Sequence, residues 1–434
     1  MRARVQSDRR EFHPAVLWAI ISLGFAQGLF YAWNAVMTSD QEQMLTKGIR
    51  LACLGQWEHY GNLVTGGGNV PGSLTALVVG VPLMVLDSAM APQVLVGLLQ
   101  LAGLLIILRV LRDHFSPLEI IVFCGLFWLS PWRASKAILW NPSYLILVTA
   151  LHLYSFHRLQ RQPRAFWPSF LHVIALGIGI ELHPSVAVLI LLSGVLFLCR
   201  ALPLNLAAAG LAVLLILLTL VPWLLAVSDE TGLAPVVDEA RGNFYYGFNL
   251  LHPFSFFKGV MYWVRYTSMV FPHYIFSNLD YSAFGTGGME NVVRVGFDGL
   301  RWAFGGASVV LALWAFGWQL RRFRRQRFRP ADPLEQYVLA AMAAMVLLVV
   351  ISPAELSHWH LYPLLPVATI AFCRFLFERF GGRRPGAGLV LFVTVMLYFT
   401  LFNVMANFTA PNYYSPEQNM RTDYHALKST LLVR

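Results

Sequence analysis

Long apolar runs recur along almost the whole chain, and they leave very few ways for it to fold. Eleven of them fall at residues 14–37, 94–110, 118–132, 144–156, 166–182, 186–198, 204–227, 302–320, 337–351, 363–377 and 387–406. A helix needs about 20 residues to cross the hydrocarbon of a bilayer, and most of these runs are close to that length. Between them the chain is 57% hydrophobic and only 12% charged. A water-soluble domain carries roughly 25% charged residues, so this much apolar surface cannot be hidden in one soluble core. Disorder and a disulfide-stapled secreted scaffold are excluded on the same grounds. The expected fold class is all-α: a polytopic membrane helix bundle of about 11 transmembrane helices, with its N-terminus cytoplasmic and helices in its periplasmic loops.

The basic residues support this threading. The formal charge of +10 comes from 28 arginines and four lysines. On a soluble protein that balance would suggest nucleic acid. Between apolar spans it follows the preference of Lys and Arg for short cytoplasmic loops, and no nucleic-acid partner is expected. With the N-terminus inside, 20 of the 32 basic residues fall in such loops, while Lys47, Lys136, Lys258 and Lys428 all fall outside. The C-terminus is then extracytoplasmic. Residues 73–89, interrupted by Pro82 and Asp87, must be an interfacial or re-entrant helix and not a further span. The first run is too long for a cleaved signal segment and reads as a retained helix. The organisation is one transmembrane domain, 1–406, with large outer loops at 38–90 and 228–301, followed by an outer tail, 407–434. Cys53, Cys124, Cys199 and Cys373 are too scattered for a disulfide framework or a thiolate metal site. No internal repeat is evident, which weighs against a transporter built from duplicated halves.

Polar residues that the bilayer does not account for collect at the outer ends of the spans. Asp40 and Glu42 follow the first span. They are either a solvated helix end or carboxylates at the floor of an outer cavity, able to act as general base or metal ligand. Trp57, Glu58 and His59 lie in the same loop, ahead of a glycine run (Gly66, Gly67, Gly68) that lacks the spacing of a phosphate loop. Arg133, Lys136 and Arg265 are basic residues on the outer side, against the charge bias. They suit either a lipid phosphate or simple snorkelling to headgroups. Asn141, Glu181 and His183 sit at later outer ends. His358 and His360 form an H-x-H pair that could ligate a metal in an extended segment or hydrogen-bond at the interface. The outer loops 38–90 and 228–301 are expected to pack together and roof a cavity. Trp57, Tyr60, Tyr245, Tyr246, Tyr262 and Tyr266 would be its aromatic faces.

Taken in order, these features resemble a known family. An acidic residue follows the first span, and an amphipathic Gly/Pro-containing outer loop comes next. After it come the S-P…N-P outer loop from Ser130-Pro131 to Asn141-Pro142, then His183-Pro184-Ser185. The stretch from His360 to Pro366 closes the series. This set resembles the GT-C superfamily of integral-membrane glycosyltransferases, in particular the bacterial aminoarabinose transferases and the protein O-mannosyltransferases. The resemblance implies sugar transfer from a polyprenyl-phosphate donor to a glycan, lipid or protein acceptor. The protein would sit in a bacterial inner membrane with its site on the periplasmic side. It also implies a catalytic role for Asp40, with Glu42 as the alternative, and a phosphate site built from the outer basic residues. A divalent metal is allowed without being required. Many relatives carry a second acidic residue in the next outer loop, where this chain has Asn141. A lipid-linked-sugar flippase or transporter, and an O-antigen polymerase or ligase, are the competing readings.

Overall fold

The computed structural model describes residues 14–63, 69–230, 253–271, 279–282, 285, 287–352, 356–381 and 385–433. In chain order the elements begin with α1 (Pro14–Asn34), α2 (Ser39–Leu54), β1 (Tyr60–Leu63), β2 (Asn69–Pro71), α3 (Leu74–Val85), α4 (Met90–Leu111) and α5 (Pro117–Trp128). A short turn, α6 (Pro131–Ala134), leads to α7 (Leu145–Arg161), α8 (Phe166–Leu182), α9 (Ala187–Leu198) and α10 (Leu206–Glu230). The rest are α11 (Pro253–Tyr266), α12 (Gly288–Arg325), α13 (Pro333–Ile351), α14 (His358–Leu361), α15 (Leu365–Phe380), α16 (Pro385–Thr409) and α17 (Met420–Val433).

Each of the eleven apolar runs coincides with a helix. Seven helices among the described residues are long and apolar enough to cross a membrane by themselves: α1, α4, α10, α12, α13, the continuous α14–α15 unit and α16. The other four, α5, α7, α8 and α9, have 12 to 17 residues. The chain is a multi-pass membrane protein.

Hydrogen bonds and ion pairs sort the connections onto two opposite ends. At one end Arg161 pairs with Asp113 at 2.9 Å, Arg374 with Asp332 at 2.5 Å, and Arg322 with both Glu335 and Glu378. The Gln160 side chain donates to the carbonyl of Ala201 at 2.6 Å. This end gathers the loops after α4, α7, α9, α12 and α15. At the other end the connections after α1, α5, α8, α13 and α16 meet. Chain direction therefore alternates through the bundle as the arginine pattern requires.

Small residues set how closely the outer helices approach. A Cβ on Gly48 of α2 would lie 2.4 Å from Val79 Cγ1, and one on Gly80 of α3 would lie 3.1 Å from the Gly48 carbonyl. The two backbones touch because neither has a side chain at the crossing. Gly72, just before α3, has φ +86°, and a Cβ there would meet Glu181 at 2.4 Å. The hairpin of β1 and β2, paired Tyr60 with Pro71 and Leu63 with Asn69, bends the chain back over the start of α2.

The C-terminal segment is an ordered part of this end. After α16 the chain crosses to α1: the Val36 amide donates to the Tyr413 carbonyl at 2.9 Å, Ser415 to Asn34 at 2.7 Å and Met420 to Ala35 at 2.8 Å. α17 then packs on α2. It is tied down by Tyr424 and Lys428, which reach Asp87 at 2.7 and 2.5 Å. Deeper in the bundle, the Tyr31 hydroxyl donates to Asn403 at 3.0 Å and Asn403 donates to Gln27 at 2.9 Å. Buried amides leave no alternative partner in hydrocarbon, so they fix α1 against α16 and with it the depth at which α2 begins.

Candidate active site

An open cavity of about 710 Å³ lies among the connections of the second end. Among the described residues that line it, Asp40 is the one carboxylate and Lys136 the one lysine or arginine. Asp40 stands in the first turn of α2, where the helix dipole favours negative charge. The Trp140 indole N–H donates to Asp40 Oδ2 at 3.0 Å, and Asn62 from β1 donates to the Asp40 backbone carbonyl at 2.9 Å. The Gln41 side chain accepts from the Thr38 amide at 3.1 Å and closes the helix start.

Lys136 places its Nζ 4.0 Å from the centroid of the Trp140 ring. One indole therefore holds the cation on its face and the carboxylate at its N–H edge. Burial pushes the Lys136 ammonium down to about 7, with Asp40 opposing the shift. The loop carrying both residues is held from below by Gln100 of α4. Its buried Nε2 donates to the carbonyls of Lys136 at 2.9 Å and Ser143 at 3.2 Å. A buried amide donor in an apolar helix is costly unless it is satisfied, and here Nε2 finds two acceptors and clamps both ends of the loop that carries Lys136 and Trp140.

His183 and His360 face each other across the cavity wall, with ring centroids 6.0 Å apart. His183 Nδ1 accepts from the Ser185 amide at 3.1 Å, and His360 Nδ1 accepts from the Ser357 amide at 2.9 Å. Burial, and secondarily His360, holds the His183 imidazole down at about 3, so it is neutral at physiological pH. Asn141 lines the cavity and donates to the Leu182 carbonyl at 2.9 Å. Asn62 Oδ1 is buried with no hydrogen-bond donor among the described residues, leaving an acceptor on the wall.

Several expected site residues are placed elsewhere. Glu42 is exposed and does not line the cavity, because two residues along a helix turn it to another face. Glu58 is taken by Lys47 at 3.1 Å and by Arg50, while Trp57 and His59, just before the hairpin, meet as a tilted ring pair and do not line the cavity. Glu181 is buried against Gly72. His358 packs on Trp132, its ring centroid 5.3 Å from the indole, and stays outside the cavity.

Arg133 is the clearest correction. It is 1% exposed and points inward, giving Nη2 to the Gly24 carbonyl at 2.7 Å and Nε to the Trp128 carbonyl at 2.9 Å. It caps the C-terminal carbonyl of α5 at Trp128 and ties it to α1, with its guanidinium 3.9 Å from the Trp128 ring centroid. Arg265 likewise donates to the Phe271 carbonyl at 3.2 Å, sits over Trp132 and does not line the cavity.

The expected roof also differs. Tyr245 and Tyr246 lie outside the described residues, and Tyr262 and Tyr266 are buried away from the cavity. Among the described residues, the wall opposite Asp40 comes from Trp359 and His360, and the C-terminal crossing adds Tyr413 and Tyr414.

Sequence reasoning missed Trp140, Asn62 and the Tyr413–Tyr414 pair. Trp140 reads as an interfacial tryptophan until its N–H is seen on Asp40. The other three reach the cavity through a hairpin and a chain crossing that have no local sequence signature. No group of three or more His, Cys, Asp or Glu side chains among the described residues is placed to hold a metal ion.

No protein-family model matches the chain, and no curated protein matches it by sequence. Solved structures do match. The crystal structure of ArnT from Cupriavidus metallidurans bound to undecaprenyl phosphate superposes with a TM-score of 0.55 at 11% identity, covering 97% of this chain and 77% of that one. This chain shares its fold with that ArnT structure. The oligosaccharyltransferase of Archaeoglobus fulgidus, solved with zinc and sulfate, matches with a TM-score of 0.50 at 13% identity over 92% of this chain. The chain spans about half of that protein, 53% of its length. The GT-C likeness read from the order of short motifs therefore holds at the level of the fold.

Proposed function

We propose that this protein is a membrane glycosyltransferase that moves a sugar from a polyprenyl-phosphate carrier to a hydroxyl of an extracytoplasmic glycan, lipid or protein. The observation that carries this reading is the pairing of Asp40 and Lys136 on one cavity wall, bridged by Trp140. The shared fold supports it, since ArnT was solved with undecaprenyl phosphate bound.

The chemistry needs a base at the acceptor and a cation at the leaving group. An acceptor hydroxyl gives its proton to the Asp40 carboxylate as the oxygen attacks the anomeric carbon. The bond from that carbon to the carrier phosphate breaks, and its electron pair stays on the phosphate oxygen. The Lys136 ammonium would stabilise that developing charge. Asn62 Oδ1 and neutral His183 would position sugar or acceptor hydroxyls. The arginine-rich end would face the cytoplasm, and the cavity would then open on the periplasmic side of a bacterial inner membrane.

The test is to incubate purified protein with a panel of polyprenyl-phosphate sugars and candidate acceptors. Release of polyprenyl phosphate in step with sugar appearing on the acceptor supports transfer. Carrier that crosses a proteoliposome membrane with its sugar intact would replace transfer with flipping.

A further inference from the structure

A second polar cavity, of about 430 Å³, opens at the opposite, arginine-rich end. Four arginines line it: Arg321, Arg322 and Arg325 near the end of α12, and Arg379 near the end of α15. Arg322 is neutralised by Glu335 and by Glu378, which also lies on the wall. Arg321, Arg325 and Arg379 are exposed, and none has an ion-pair partner among the described residues. Arg321 and Arg325 are four residues apart on one helix face, where like charges repel. A third positive charge from α15 on the same cavity adds to that repulsion. An anion placed among them would relieve it. One further donor of the wall, Arg322 Nε, is buried with no acceptor among the described residues.

The surroundings identify the kind of anion. Trp318 lines the cavity, and Trp314 lies one turn before it on the same helix. Trp314 packs on Phe380 at 5.6 Å, and both are partly exposed, at 45% and 40%. Exposed tryptophans at the end of a spanning helix mark headgroup depth. On α12, Leu320 beside the cavity and Leu313 and Val310 farther toward the middle of the helix are exposed and apolar, offering a surface for an acyl chain. A free phosphate would use the arginines but none of this apolar border.

We propose that Arg321, Arg325 and Arg379 form a binding site for the phosphate headgroup of an anionic phospholipid of the inner leaflet. The lipid's tail lies along the exposed side of α12. The site is at least 185 residues along the chain from Asp40 and Lys136, at the other end of the bundle, and does not depend on the transfer reaction. It differs from a general attraction of basic loops for anionic lipid because three charges and an aromatic border converge on one cavity.

The test counts bound phosphatidylglycerol by native mass spectrometry as it is titrated into the full-length protein in neutral detergent, with phosphatidylcholine as reference. The cavity variant is Arg321→Gln/Arg325→Gln/Arg379→Gln. The control, Arg109→Gln/Arg112→Gln/Arg158→Gln, removes the same charge from the same end outside the cavity. The expected result is a roughly 100-fold loss of phosphatidylglycerol affinity in the cavity variant and less than about threefold in the control. Equal losses in both would overturn the site and leave only diffuse charge. Displacement of phosphatidylglycerol by inorganic phosphate at comparable concentration would overturn the lipid assignment. If the triple variant does not fold, Arg379→Gln decides alone: about fivefold weaker binding supports the site, and unchanged binding overturns it.

Discussion

Trp140 and Asp40 are a hundred residues apart in sequence, and the indole N–H of one holds a carboxylate oxygen of the other at 3.0 Å. The same ring carries Lys136 on its face. Three groups with different chemistry are thus fixed relative to one another by a single rigid side chain. Trp140→Phe keeps an aromatic face for Lys136 and removes only the N–H. A hydrogen bond to a charged group contributes about 1.5–3 kcal/mol. If Asp40 is the base, turnover should drop by roughly tenfold or more while donor affinity stays near wild type. Steady-state kinetics beside a separate donor-binding measurement distinguish the two effects.

Lys136 gives the site a pH dependence with a definite sign. Burial lowers its folded-state pKa to about 7 from an ordinary 10.5, so the ammonium is present below that value and lost above it. Donor phosphate should therefore bind best below pH 7 and about tenfold more weakly at pH 8 than at pH 6. The same shift means the unfolded chain holds this proton more tightly between pH 7 and 10.5. The stability penalty of burying Lys136 shrinks as pH rises through that window. Lys136→Arg should flatten the binding profile, because a guanidinium keeps its charge there. His183→Gln should leave the profile where it is, since His183 is already neutral. A donor-binding titration across this range in the three proteins checks each point.

Arg133 should behave as a structural residue. Removing its side chain leaves the Gly24 and Trp128 carbonyls without this donor inside the bundle. Each lost partner costs about 1–3 kcal/mol. Arg133→Ala should lower the midpoint of thermal unfolding and the yield of folded protein, with donor affinity of the folded fraction unchanged. Weaker donor binding at unchanged stability would return Arg133 to the phosphate site.

The helices were legible because the bilayer writes its length into the sequence. Eleven apolar runs became eleven helices, and arginine placement anticipated which connections share an end. Asp40 and Lys136 stood out in the sequence as charges at span ends, and the structure sets both on one cavity. Arg133 was not legible, because a long side chain next to Lys136 can reach inward or outward, and only the position of the Trp128 carbonyl decides it. The cavity wall was hidden for a different reason. Tyr413 and Tyr414 arrive through a crossing held by backbone hydrogen bonds to Asn34 and Ala35, which any residues could make. Of the roof tyrosines expected from 228–301, Tyr262 and Tyr266 pack away from the cavity, because aromatic composition says what a residue could stack on, not which neighbour it meets.

Gln100 tests whether the loop is held as a unit. Gln100→Leu keeps the approximate size of the side chain but removes the amide donor, freeing the carbonyls of Lys136 and Ser143 and loosening the loop that positions Trp140. Displacement of a catalytic group by about 1 Å can cost on the order of 100-fold. Turnover should fall well beyond any change in the unfolding midpoint. A parallel fall in both would make Gln100 a packing residue only.

The decisive measurement compares Asp40→Asn with wild type in sugar transfer from the best polyprenyl-phosphate donor. Each protein is first checked for folding and for donor binding. Asn keeps the size of the side chain and can still accept from Trp140, but it cannot take a proton from the acceptor. A positioned general base contributes about 10²–10⁴-fold. The expected result is a loss of turnover in that range with donor binding preserved, and near-wild-type turnover in the exposed control Glu42→Gln. Wild-type turnover by folded Asp40→Asn would contradict the assignment of this cavity as the catalytic site.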